Sequence, residues 1–146
     1  MAISQPAFQQ IIIMGKVSVL ITWADNYGAC CDLVPGCVAT HKTLEGVKQA
    51  FEEALRIHLQ AMREDGDEIP EALQGNYQLC FTLNTRALLH STEGIITRAA
   101  LAKFTGINER QLGHYATGRS NPRPAQQDKI VRGIHSICQA LSSIAL

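Results

Sequence analysis

The stretch from Arg98 to Arg119, RAALAKFTGINERQLGHYATGR, gathers side chains able to read a base pair. Glu109, Arg110, Gln111 and His114 can each hydrogen-bond to base edges or phosphates in a major groove. Arg110 is the one suited to guanine, whose O6 and N7 match a guanidinium fork. Such readout needs a short helix crossing a second one steeply, and the small residues fall where that crossing requires them. Leu101, Ala102 and Phe104 give an apolar face to a first helix, with Ala102 small enough for close approach. Gly106 supplies the turn, because glycine tolerates the positive φ that ends a helix, and Thr105 before it is a poor helix former. Asn108 is the expected N-cap of the second helix, with Gln111 placed to complete a capping-box-like exchange. Leu112 and Tyr115 continue the buried side, and Gly118 ends it. This is the pattern of a helix-turn-helix. Arg98, Arg119 and Arg123 flank it, where cations meet backbone phosphates and set register without reading sequence. Two helices packed in a small bundle are the alternative; a glycine in the turn is common there, whereas small residue, glycine, cap and exposed polar first turn together are less so.

The rest of the chain has to position these residues. From Lys16 to Trp23, Val17, Val19, Ile21 and Trp23 alternate with Lys16, Ser18 and Thr22, the period of a strand with one buried face. Asp25, Asn26, Tyr27 and Gly28 are the expected turn, followed by a strand over Ala29 to Leu33, a turn at Pro35 and Gly36, and a short strand from Cys37 to Thr40. Thr43 is placed to cap a long helix with Val47, Ala50, Phe51, Ala54, Leu55, His58, Leu59 and Met62 on its apolar side. That helix should end near Gly66, with Pro70 beyond. Tyr77 to Phe81 reads as a strand returning to the sheet, and the remainder is helical. A last helix is expected from Pro124 to about Ile144, with an apolar stripe of Ile130, Val131, Ile134, Ile137, Cys138, Leu141 and Ile144 wide enough to cover the helix-turn-helix and a second subunit. The fold class is therefore α+β: a β-β-β-α-β unit over residues 16–82, then an all-α DNA-binding unit over residues 83–146. Residues 1–13, within a 1–15 leader, are expected to be poorly ordered, with Met14 an alternative start.

Charge separates along the same line. Lys and Arg against Asp and Glu number 5 against 10 in residues 1–80 and 8 against 3 in residues 81–146, so the balanced total of 13 against 13 hides about −5 and +5. A basic unit suits nucleic acid, and an acidic one repels it and suits a basic protein. At 146 residues and 46% hydrophobic content the chain can bury a core. Five cysteines, an odd number, favour reduced thiols and a cytoplasmic location. No stretch approaches the roughly 18 apolar residues of a membrane span, so no membrane partner is expected.

At this point the chain resembles a known family. YGACCDLVPGC at Tyr27–Cys37, THKTLEGVKQAFEEAL at Thr40–Leu55 and EIP at Glu68–Pro70 look like the N-terminal domain of HicB-type antitoxins, a family that carries C-terminal helix-turn-helix appendages. The resemblance covers roughly residues 16–120. It implies a partial ribonuclease-H-like fold used to bind and block a small basic, HicA-like toxin that cleaves messenger RNA, together with repression of the operon encoding both. His41 and Lys42 depart from the glycine and acidic residue usual there, and Gly46 from a common Glu. Asp25, Tyr27 and Asp32, at the exposed turn and strand end, are the candidate toxin contacts.

Catalysis is not expected. Two-metal nucleic-acid cleavage needs carboxylates converging from strands and a helix. The first strand has none, and Glu64, Asp65, Asp67 and Glu68 read as a solvated helix end. Cys30, Cys31, Cys37 and His41 suggest zinc only until strand geometry is considered, because neighbouring strand residues point to opposite faces. No metal or cofactor is expected. A homodimer or higher even oligomer is, since one short helix contacts few base pairs and two-fold pairing adds a second half-site. The second reading is a stand-alone regulator whose α/β unit senses a small molecule or only dimerises; a deep polar pocket in the N-terminal half would favour the sensor.

Overall fold

A computed structural model describes residues 15–145; positions 1–14 of the expected leader, with the alternative start at Met14, lie outside the described residues, and Gly15, expected in the leader, begins the first strand. The fold mixes α and β. Its elements are β1 (Gly15–Trp23), β2 (Tyr27–Cys30), β3 (Val38–His41), α1 (Leu44–Asp65), a 3-10 turn (Glu71–Leu73), β4 (Tyr77–Leu83), α2 (Thr85–Thr92), α3 (Arg98–Thr105), α4 (Glu109–Thr117) and α5 (Pro124–Ser142).

The strands form one four-stranded sheet in the order β3-β2-β1-β4. β1 pairs antiparallel with β2 and parallel with β4. A parallel neighbour requires a crossover, and β2, β3 and α1 fill it. Alternation in β1 acts as expected: Val17, Val19 and Ile21 are fully buried, while Lys16 and Ser18 face out. Their partners across the layer are Val47, Phe51, Leu55 and Leu59 of α1, one helical face at i, i+4 spacing. Each such side chain contributes about 1.5–3 kcal/mol on burial. The other sheet face stays open, so that Leu20 and Val38 are exposed.

Several boundaries moved: β3 runs one residue later than expected, from Val38 to His41, and β4 continues past Phe81 to Leu83. Tyr27 and Gly28, expected in the turn, pair with Trp23 and Thr22 as the start of β2, which ends at Cys30 rather than running to Leu33. The turn is tighter because Ala24 N–H donates to the Asn26 carbonyl, closing the hairpin ahead of Tyr27. Around α1, Thr43 Oγ1 accepts from Gly46 N–H at 3.0 Å, as the cap required. His41 Nδ1 accepts from Thr43 N–H at 3.0 Å, and a Cβ on Gly46 would overlap the His41 ring. The histidine and the glycine are thus one feature: the ring occupies the space a larger residue at 46 would need.

The helical part has its own core of Leu89, Leu101, Ile107, Leu112, Tyr115, Ile130 and Ile137. The expected division after residue 82 falls where β4 runs directly into α2, with Asn84 N–H donating to the Ile21 carbonyl at 2.9 Å. Ala87 of α2 is buried in the sheet core and Leu89 in the helical one. The expected stripe divides: Ile130 and Ile137 are buried and Ile134 partly so, whereas Val131, Cys138 and Leu141 are exposed, as is Ile144, which lies beyond the end of α5 at Ser142 rather than within it. Phe104, expected on the inner face of α3, is also exposed; Leu101 and Thr105 hold that face instead, four residues apart.

Thr105 and Gly133 set the approach of α3 to α5. A Cβ on Gly133 would lie 2.5 Å from Thr105 Cγ2 and 3.2 Å from its backbone. Helix propensity alone would make Gly133→Ala stabilising by up to about 1 kcal/mol. Overpacking costs about 1–3 kcal/mol, and the contact includes backbone that cannot swing away. Gly133→Ala is therefore expected to be net destabilising in urea unfolding; a raised midpoint would show that α5 is free to shift.

Candidate nucleic-acid interface

The geometry of the α3–α4 pair begins with its caps. Thr97 Oγ1 accepts from Ala100 N–H at the start of α3, and Gly106 ends that helix at φ 72°. Thr105 also fastens the turn, since its hydroxyl donates to the Leu101 carbonyl at 2.6 Å and accepts from Ile107 N–H at 3.2 Å. With those bonds in place Ile107 is buried and Asn108 emerges to cap α4, its Oδ1 accepting from Gln111 N–H at 2.8 Å.

On α4, Leu112 and Tyr115 face inward, so Arg110, His114 and Thr117, spaced by four and three, share the opposite side. Arg110 and Thr117 are exposed and His114 is partly buried at the edge, with Glu109 exposed at the first position of the helix. Gln111 does not belong with them. Its Nε2 donates to Ser120 Oγ at 3.0 Å, tying α4 to the loop that follows it. One residue is about 100° of helix, which turns Gln111 away from Arg110, and the reciprocal half of the expected capping box is not made. Gln111 instead lines a polar groove of about 490 Å³ with Asn108, Asn121, Arg123 and Gln126.

The flanking cations differ in freedom. Arg119 and Arg123 are exposed in the loop between α4 and α5. Arg98 is engaged within the protein: it pairs with Glu93 at 3.4 Å, and its guanidinium lies against Gly113 of α4, 3.2 Å from where a Cβ would stand. An exposed pair of this kind contributes little stability, yet it directs the side chain along α4. Sequence reasoning passed over Arg86. It is far from the motif in the chain, and only folding brings its guanidinium against Gly118.

The three candidate toxin contacts do not form a patch. Asp25 is exposed in the turn at one end of β2, and Asp32 is exposed beyond the other. Tyr27 is 4% exposed and belongs to the core, which corrects its expected place on the surface. Its ring meets Trp23 edge to face at 4.9 Å and His90 at 5.5 Å, while His90 stacks flat on Trp23 at 3.5 Å and 8°. Packing of this trio, rather than turn chemistry, decides where Tyr27 lies. The exposed carboxylates of the α/β unit are instead richest along α1 and just after it, where Glu52, Asp65, Asp67, Glu68 and Glu71 face solvent.

No family model matches the chain, and no curated protein matches it. Among the described residues, no group of three or more His, Cys, Asp or Glu side chains converges to hold a metal ion. Cys31 and Cys37 are buried, and burial, with Cys31 beside it, pushes the Cys37 thiol up, the opposite of an activated nucleophile. Among the described residues, no helix is long and apolar enough to cross a membrane.

Burial, and then the Glu93 carboxylate, raise the Tyr27 hydroxyl above its ordinary value of 10.0. The folded state then holds that proton more tightly than the unfolded one, so the associated stability is complete below the ordinary value and is lost as pH rises past it. Tyr27→Phe should flatten the fall in urea stability as pH rises above about 10, the ordinary tyrosine pKa. An unchanged alkaline slope would rule Tyr27 out as its source.

Proposed function

We propose that the protein is the antitoxin of a toxin–antitoxin pair. The acidic α/β unit binds and blocks a small basic, HicA-like ribonuclease toxin, and the helix-turn-helix represses the operon encoding both. One observation carries the DNA half of this reading: an Asn108-capped α4 exposes Arg110 on the side opposite Leu112 and Tyr115, with Arg119 and Arg123 exposed beside it. Arg110 can take the O6 and N7 of a guanine, and Arg119 and Arg123 can take backbone phosphates.

Support for the toxin half is the resemblance of Tyr27–Cys37, Thr40–Leu55 and Glu68–Pro70 to HicB-type antitoxins, and the β-β-β-α-β order is compatible with the partial ribonuclease-H-like domain that it implies. A unit with 10 acidic against 5 basic residues over positions 1–80 would attract a basic partner and repel the nucleic acid that the partner cleaves. Exposed Val131, Cys138 and Leu141 recur on α5 with partly buried Ile134 at intervals of three and four, the spacing of a helix-pairing seam. A second copy packed there would supply two reading helices, matched to half-sites about 34–36 Å apart.

Arg110→Ala should weaken binding to DNA from upstream of the coding operon by about 1–3 kcal/mol, roughly 5- to 150-fold, as read by fluorescence anisotropy. Neutralisation of the toxin should be unchanged; equal loss of both activities in a folded variant would count against separate surfaces. The partner itself is sought by pull-down of the tagged protein from its native cells with mass spectrometry. Co-purification of a short basic protein supports the antitoxin reading. Its repeated absence alongside specific DNA binding would leave a stand-alone regulator.

A further inference from the structure

Between the end of β1, the start of α2 and the end of α4 lies a cleft of about 310 Å³ that holds a cation with no acid opposite it. Arg86, the second residue of α2, is partly buried, and its Nε is closed off from solvent without a hydrogen-bond partner. Among the described residues it forms no ion pair. Burying a guanidinium without an acid is costly, and proteins ordinarily pair it or leave it in water. Here no acid pairs it, and its Nε is shut off from water while the rest of the group opens on the cleft. The residues lining the cleft include Trp23, Asn84, Tyr115, Asn121 and Gln127, and no carboxylate is among them.

Arg86 reaches from α2 to the end of α4. Its guanidinium lies beside Gly118 at the end of α4, with Nη1 2.9 Å from where a Cβ would stand; the φ of +77° at that helix end is what calls for glycine there. Asn84 and Thr85, the N-cap and first residue of α2, line the same cleft, which places the positive end of that helix beside the arginine. A guanidinium without an acid, a helix N-terminus and amide side chains suit an oxyanion and repel a cation.

We propose that this cleft is an oxyanion site, in which Arg86 and the start of α2 bind a phosphate or carboxylate group. Its position at the junction of the sheet and α4 means that an occupant touches both. The site stands on Arg86 and the cleft and does not rest on the antitoxin reading. The oxyanion can come from a free small molecule or from a backbone phosphate of DNA lying along α4.

The test is a titration of the full chain with inorganic phosphate, against sodium chloride at matched ionic strength, followed by nuclear magnetic resonance. The reporters are the Arg86 Nε–H, identified by its absence in Arg86→Lys, and the indole N–H of Trp23, the chain's one tryptophan. Saturable shifts of both with phosphate but not chloride are expected, with at least about tenfold weaker binding in Arg86→Gln, the scale of one lost charge-assisted contact. Shifts that are linear, or that chloride reproduces, overturn the proposal. Should Arg86→Gln fail to fold, Asn121→Glu replaces it: a carboxylate from the exposed wall would occupy the site and abolish phosphate binding, and unchanged binding would overturn the proposal. Repeating the titration with a duplex of mixed sequence separates the sources. Displacement of phosphate by the duplex assigns the site to backbone phosphate, and unaltered phosphate affinity assigns it to a free oxyanion.

Discussion

Helix α2 must satisfy two cores at once, and the arrangement of the molecule depends on its doing so. Ala87 and Leu89 are two residues apart, which on a helix points them to nearly opposite sides, so eight residues suffice to enter the sheet core on one side and the helical core on the other. The contact is reinforced by His90, whose ring lies flat on Trp23 at the end of β1. Since Asn84 N–H also donates to the Ile21 carbonyl, the entry to α2 is held by a strand of the sheet it has just left. Nothing at this boundary resembles a flexible linker.

The consequence for α4 is that its orientation follows from the sheet through a short series of contacts. Trp23 meets His90, His90 lies 3.7 Å from Glu93, Glu93 pairs with Arg98, and Arg98 rests on Gly113. Individually the charged contacts are exposed and weak. The apolar packing beneath them is what resists motion, and the charges choose which way the side chains lie over it. On the other flank, Thr105 packs against Gly133 and Gln111 bonds Ser120, so the pair of helices is held on both sides.

Much of this was legible in the sequence wherever a local rule was sufficient. Thr43, Asn108, Gly66, Gly106 and Gly118 cap or end helices where their chemistry requires, because a cap is decided within about four residues of chain. Period-two and period-3.6 patterns located β1, α1 and the buried side of α4. Errors arose where a residue had more than one acceptable local role. Tyr27 suits a turn or a strand, and its ring contacts with Trp23 and His90 chose the strand. Phe104 is apolar enough for the inside of α3, yet Thr105 is there, because its hydroxyl can satisfy the turn while its methyl meets Gly133.

By itself, the sequence determined the mixed α and β class, the two oppositely charged halves, the α3–turn–α4 pair with Arg110 on its outer side, and most element positions. These depend on side-chain period, caps and composition, all of which act over a few residues or are sums over many. Only the tertiary structure decided that Gln111 turns to Ser120, that Arg98 lies over Gly113, that Asp25 and Asp32 stand at opposite ends of β2, and that Arg86 stands without an acid in a cleft beside Trp23. Each of those depends on which distant surface a side chain meets, and packing between elements carries no local signature in the chain.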